Sequence, residues 1–139
     1  MGAGRSLALL LARLGLCAIF LFSGFHNIQH TGETAGQLAS WGYPVPNILA
    51  IVAAIAELAG GISVLLGALT PLGCIALILF LLPTTYSYHL PGLLKGDGME
   101  AINFLKNLGL IGGLIALMFS GPGRFSVDGR IMGDRKVQV

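Results

Sequence analysis

Four apolar runs, Leu7 to Phe25, Ile48 to Leu69, Leu72 to His89 and Ala101 to Phe119, constrain this chain more than any other feature. Each is close to the roughly 20 residues that carry a helix across a hydrocarbon core. A span in lipid has to satisfy its own backbone, so all four runs are predicted to be α-helices. The remainder of the 139 residues is too short for a separate soluble domain. The predicted fold is therefore all-α, a single integral membrane four-helix bundle over residues 1–139 with a flexible C-terminal tail at about 124–139. Composition agrees: 55% of residues are hydrophobic and only 10% charged, far from the balance of a soluble domain. Although Arg5 precedes the first run as in a signal peptide, the run is long for such a segment and lacks an A-x-A-like exit. It is expected to be a retained span.

The connections carry the punctuation. The longest, about residues 26–47, contains TGETAGQLASWGYPVPN, where Thr31 or Thr34 is placed to cap a short interfacial helix ending near Trp41. Gly42, Pro44 and Pro46 then break it. Arg5 lies before the first span and Arg124, Arg130, Arg135 and Lys136 after the last, whereas the first connection has neither Lys nor Arg and the third has only Lys95. Basic residues stay on the inner side of a membrane, so both termini are predicted to be cytoplasmic. Trp41, Tyr43, Tyr86 and Tyr88 then gather at the outer interface as anchors. The net charge of +2 and the absence of a basic-aromatic cluster exclude nucleic acid as a partner.

Ionisable groups inside the spans are few: Arg13, Glu57, His89 and Lys106, with Asn103 and Asn107 beside the last. Each charge at the bilayer centre costs about 2.5–3.5 kcal/mol on insertion scales, so such groups face the bundle interior and take partners. With a rise of about 1.5 Å per residue, Glu57 falls roughly 14 Å below the outer end of its span and Lys106 roughly 8 Å. A lysine chain can close most of that gap. Arg13, roughly 9 Å above the inner end of its span, either snorkels to the cytoplasm or reaches toward Glu57. These groups either line one outward-opening polar cavity or form a network that only locks helix register.

Small residues favour close helix approach in the second span (Ala53, Ala56, Gly60, Gly61, Gly67) and in the fourth (Gly109, Gly112, Gly113). Pro83 is expected to kink the third span, freeing a carbonyl near Thr84 and Thr85. His26 and His30 share a helix face, yet they fall in an exposed connection and no metal site is assigned. Cys17 and Cys74 are offset by about 12 Å along the bundle, beyond a disulfide's reach. Phosphate loops, Ser-His-Asp spacing and CxxC are absent from the sequence.

Taken in order, Arg13 with FLFSG, then GYPVP, AELAGGISVLLGALTP, the Tyr/His end of the third span, NFLKNLGLIGG and GPGRFSVDGR resemble the DoxX family of small bacterial membrane proteins. The resemblance covers about residues 10–130. It implies a multi-pass bundle in the bacterial inner (plasma) membrane. It also implies a link to sulfur and thiol redox metabolism, one family role being a membrane subunit of a thiosulfate:quinone oxidoreductase and another an oxidative-stress assembly. By resemblance Arg13, Glu57, Lys106 and Asn107 occupy recurrent polar positions, and His89 does so more loosely. Family members often carry Lys shortly after the first span's glycine, where this chain has Phe25 and His26 after Gly24.

The leading expectation is an accessory subunit of an oxidoreductase complex, with Glu57, Lys106, Asn103, Asn107 and His89 around a quinone or another small hydrophobic molecule. Its partners would be the lipid bilayer, a soluble or membrane redox protein and a second copy of itself. A non-enzymatic scaffold or assembly factor is the alternative. A small-molecule transporter is the third, against which stands the lack of inverted repeats.

Overall fold

A computed structural model describes residues 2–135, all helical apart from short connections. Among these residues seven α-helices follow in order: α1 (Ala3–Gln29), α2 (Thr31–Ser40), α3 (Pro46–Leu66), α4 (Thr70–Thr84), α5 (Leu90–Leu94), α6 (Gly98–Ser120) and α7 (Val127–Arg135). A five-residue π-helical segment, Thr85–His89, joins α4 to α5. Among the described residues, four helical stretches are long and apolar enough to cross a membrane: Ala3–Gln29, Pro46–Leu66, Thr70–Leu94 and Gly98–Ser120. Short connections make neighbours antiparallel, so both ends of the described chain lie at one face. Around the bundle α1 packs on α3, α3 on α4 and α4 on α6, while α6 closes back onto α1 along a shorter seam.

Several boundaries differ from the apolar runs, each for a local reason. Helix α1 runs four residues past Phe25, because a helix entering the interface can continue through polar side chains. Helix α2 has His30 as its N-cap without a side-chain bond, so neither Thr31 nor Thr34 serves as the cap. Helix α3 starts at Pro46, a residue suited to the first turn because its missing N–H would be unpaired there. It ends at Gly67, whose φ of 62° is the left-handed cap that glycine adopts most readily. The fourth span gains a turn because Asp97 caps α6, accepting from the amides of Met99 and Glu100.

The region expected to be a flexible tail is folded where it is described. Helix α7 is tied to the α3–α4 turn: the Asp128 carboxylate accepts from the Leu69 amide at 2.9 Å, the Thr70 amide at 3.0 Å and the Thr70 hydroxyl at 2.9 Å. Leu69 has a φ of 51°, a left-handed conformation costing a non-glycine residue about 1–2 kcal/mol. Asp128 caps α4 and holds that strained residue in place. Lys136, counted among the basic residues after the last span, lies outside the described residues along with positions 137–139.

The packed core occupies the half of the bundle nearer the chain ends, where Cys17, Val64, Cys74, Leu77, Leu114 and Leu117 are buried together. Two glycines make the α3–α4 crossing tight. A Cβ on Gly60 would stand 2.7 Å from Leu77 Cγ, and one on Gly73 would stand 2.3 Å from Ser63 Oγ. Gly61 faces Leu21 of α1, and Gly113 faces Leu16. Gly109 and Gly112 instead open onto the bundle surface with nothing within 4 Å, so they bring no described helix close.

Candidate functional site

Beyond the core, toward α2, the helices separate around a cavity of about 660 Å³. That size lies within the range of small-molecule pockets, about 300–1,000 Å³. Its walls are chiefly apolar, from Ile19 and Phe20 of α1, Ala53 and Ala56 of α3, and Leu79 and Phe80 of α4. Helix α2 and the loop after it form a roof through Leu38, Trp41 and Tyr43. Two contacts fasten the roof to the π-helical segment: Trp41 meets Tyr88 edge-on with ring centroids 4.2 Å apart, and Tyr43 Oη lies 2.7 Å from Ser87 Oγ.

Glu57 lies at the depth of the cavity, only 2% exposed. Its partner is neither Lys106 nor Arg13. Asn27 of α1 donates from Nδ2 to Glu57 Oε2 at 2.8 Å, and the same nitrogen lies 3.4 Å from Ser23 Oγ. A carboxylate can accept about four hydrogen bonds, so acceptor capacity remains on the cavity side. Asn27 escaped the sequence reading because the first apolar run was closed at Phe25, and Ser23, inside that run, was passed over because only ionisable groups and asparagines were singled out. Their spacing of four was the available signal, since it sets both on one face of a continued α1.

Asn107 is buried and donates to Thr85 Oγ1 at 3.0 Å, joining α6 to the π-helical segment across the cavity wall. That segment begins two residues after Pro83, the position expected to disturb the third span. Pro83 removes an amide from the helical ladder, and the wider i→i+5 winding that follows lets the consecutive Ser87, Tyr88 and His89 all line the cavity. The Thr84 hydroxyl donates back to the Phe80 carbonyl at 2.7 Å.

Three candidate residues sit differently from expectation. Lys106 lines the cavity yet is exposed at the bundle surface, and its ammonium donates to Asn103 Oδ1 at 3.2 Å rather than to a carboxylate. Asn103 is outside the cavity lining, occupied with that lysine one turn nearer the end of α6. His89 faces Glu100, with Nδ1 2.6 Å from Oε2, the one close acid-base pair among the described residues. Glu100 was missed because it belongs to the short connection in sequence, while the Asp97 cap makes it part of α6.

Arg13 neither snorkels nor approaches Glu57. Buried at 2% exposure, it donates Nε to the Val64 carbonyl at 2.9 Å and Nη2 to the Leu65 carbonyl at 2.6 Å. Its Nη1 donates to the carbonyls of Pro122 at 2.9 Å and Phe125 at 2.8 Å. The guanidinium thus satisfies carbonyls at the end of α3 and in the GPGRFS exit from α6. Helix ends leave such carbonyls unpaired, and a planar fork of five donors can reach several at once. Arg13 belongs to a clasp at the chain-end face, remote from the cavity.

Other groups stand apart. His26 and His30 stack at 4.2 Å on the end of α1, and no cluster of three metal-ligating side chains occurs among the described residues. Cys17 and Cys74 are free thiols buried in the core.

The sequence profile of the DoxX family matches residues 8–90. The chain is 34% identical over 131 residues to the inner membrane protein YphA of Escherichia coli (strain K12), covering 93% of this chain and 94% of that one. It is 28% identical over 124 residues to the inner membrane protein YqjF of the same organism, covering 89% and 92%. An uncharacterized membrane protein of Mycobacterium tuberculosis, Rv3486, is 28% identical over 127 residues, or 86% and 78% of the two chains. No solved structure matches the chain. Family profile, full-length relatives and four membrane-length helices agree, and the chain belongs to the DoxX family as a multi-pass protein of the bacterial inner membrane.

Proposed function

We propose that this protein is a redox-associated membrane subunit that holds a quinone, or a small hydrophobic molecule of similar shape, in the cavity beneath α2. The observation that carries the reading is the pairing of a chiefly apolar 660 Å³ chamber with a few polar groups at set points: Glu57–Asn27, Asn107–Thr85, His89 and Lys106. Ligand sites combine apolar walls with a few orienting polar groups in this way. A flat ring fits between the alanines of α3 and the apolar face of α4. Glu57 accepts a hydrogen bond from a hydroxyl of the reduced quinol head group, while Lys106 and the second amide proton of Asn107 donate to a carbonyl oxygen of the oxidised quinone. A quinone, when bound, supplies the two-electron chemistry; the side chains hold and orient it. Both termini face the cytoplasm in this reading, which the placement of Arg5, Arg124 and Arg130 supports, so that the roof of the cavity lies at the outer interface where a redox partner would dock.

The test is lipid analysis of protein purified without harsh delipidation, followed by titration with added quinone. A protein that retains none and binds none ends the proposal. The scaffold reading has one observation of its own, since all four hydrogen bonds of Arg13 go to backbone carbonyls and hold segments together. It predicts that quinone has no effect on the protein at any concentration.

A further inference from the structure

On the α3–α4 side three residues lining the cavity also face the bundle's outer surface: Val52 of α3 is 55% exposed, Leu79 of α4 is 63% exposed, and Pro83 of α4 is exposed one turn further on. A side chain can do both only at the rim of an opening. The rim lies between α3 and α4, whose facing residues there are the small Ala53, Ala56 and Ala76. Toward the chain ends the gap is shut by the Gly60–Gly73 crossing, and toward α2 it is shut by the Tyr43–Ser87 bond. From Leu49 to Ala56 the lining of α3 extends for about 10 Å, at a rise of 1.5 Å per residue. The opening is therefore a side window at hydrocarbon depth. The roof, by contrast, is closed by the Trp41–Tyr88 contact.

From this geometry we infer that the cavity admits its ligand from within the bilayer, through the α3–α4 window, and that the ligand is an amphiphile with a compact hydrogen-bonding head and a long hydrocarbon tail. The inference rests on the proposed ligand-holding role of the cavity and specifies the class of ligand. The head passes inward to Glu57, Asn27 and Asn107, where the polar groups are. The tail stays in the window among Val52, Ala53 and Leu79, continuous with lipid, so no hydrocarbon has to be desolvated from water and no polar head has to remain in hydrocarbon unpaired. Lys106 marks the cavity's other exposed edge, on α6. A hydrocarbon tail gains nothing by displacing an ammonium there, which favours the apolar window.

Binding of two benzoquinones with one ring pattern, one carrying a decyl tail and the other a methyl group, is measured on the full-length protein in nanodiscs and expressed against the free aqueous concentration of each, so that a bound tail lying in lipid counts toward affinity. The wild type is expected to bind the tailed compound at least about tenfold more tightly. Val52→Trp and Leu79→Trp are both at exposed positions that tolerate bulk, and they are expected to slow or weaken binding of the tailed compound about tenfold. Leu82→Trp is the control, placed on the lipid face away from the cavity lining. Equal binding of the two compounds, or window variants that behave like Leu82→Trp, overturns the inference while leaving the cavity reading intact. Failure of the wild type to bind either compound instead overturns the cavity reading on which the inference rests.

Discussion

Replacing Arg13 by Met removes the charge and keeps much of the length, so it isolates what the guanidinium does. Four hydrogen bonds of 2.6–2.9 Å are lost, to Val64, Leu65, Pro122 and Phe125. Bonds from a charged donor are worth about 1.5–3 kcal/mol each, giving a gross loss of about 6–12 kcal/mol. The net loss is smaller for two reasons. The Val64 carbonyl keeps the Gly67 amide at 3.2 Å, and the Leu65 and Phe125 carbonyls are only partly buried, so water can replace the guanidinium there. The Pro122 carbonyl is left buried without the guanidinium, and the clasp that joins α1, α3 and the α6 exit comes apart, for a net destabilisation of about 3–5 kcal/mol. Arg13→Lys should recover only part of this, since one ammonium cannot reproduce the planar fork. Reversible unfolding in mixed micelles measures both variants. A loss below about 1 kcal/mol for Arg13→Met, or full recovery by Arg13→Lys, would refute the clasp as described.

The remaining expectations concern other parts of the fold. At Asp128 burial pushes the carboxyl upward, but the Thr70 and Leu69 amides, the Thr70 hydroxyl and the Arg13 charge outweigh it and hold the acid below its ordinary value. A depressed acid stabilises the fold above its unfolded pKa, and this contribution is lost as pH falls through the native value, below about pH 4. Asp128→Asn should remove that acid-dependent loss, seen as a flatter stability-pH curve at the acid end. Gly60→Ala places a methyl within 2.7 Å of Leu77 and should cost about 1–3 kcal/mol, whereas Gly112→Ala meets nothing within 4 Å and should be neutral or slightly stabilising. Equal effects of the two in an unfolding titration would show that the α3–α4 crossing is not tight. Glu57→Gln combined with Lys106→Met should leave a folded, inactive protein in a complementation assay. Full activity of that double variant would favour the scaffold role.

The legible part of the site was its membership by depth. Glu57, Lys106, Asn107 and His89 stood out because polar groups are costly in an apolar run, and all four line one cavity. What could not be read was which of them touch. Depth along a helix says nothing about rotation around it, and a lysine at the right height turned out to face the surface. The pairing of Glu57 with Asn27 needed α1 to continue past its apolar residues, and the pairing of His89 with Glu100 needed a cap and a π-helical turn whose geometry no single residue announces.

By itself the sequence determined the number of spans, their helical nature and the membrane as solvent, because those follow from apolar length and the need to satisfy backbone groups locally. Only tertiary structure decided the partners of Arg13, the folding of α7 against the α3–α4 turn and the side window between Val52 and Leu79. Hydropathy is a sum along the chain, whereas these features depend on relative helix rotation and on carbonyls exposed where helices end. Such groups become partners only after the bundle has closed.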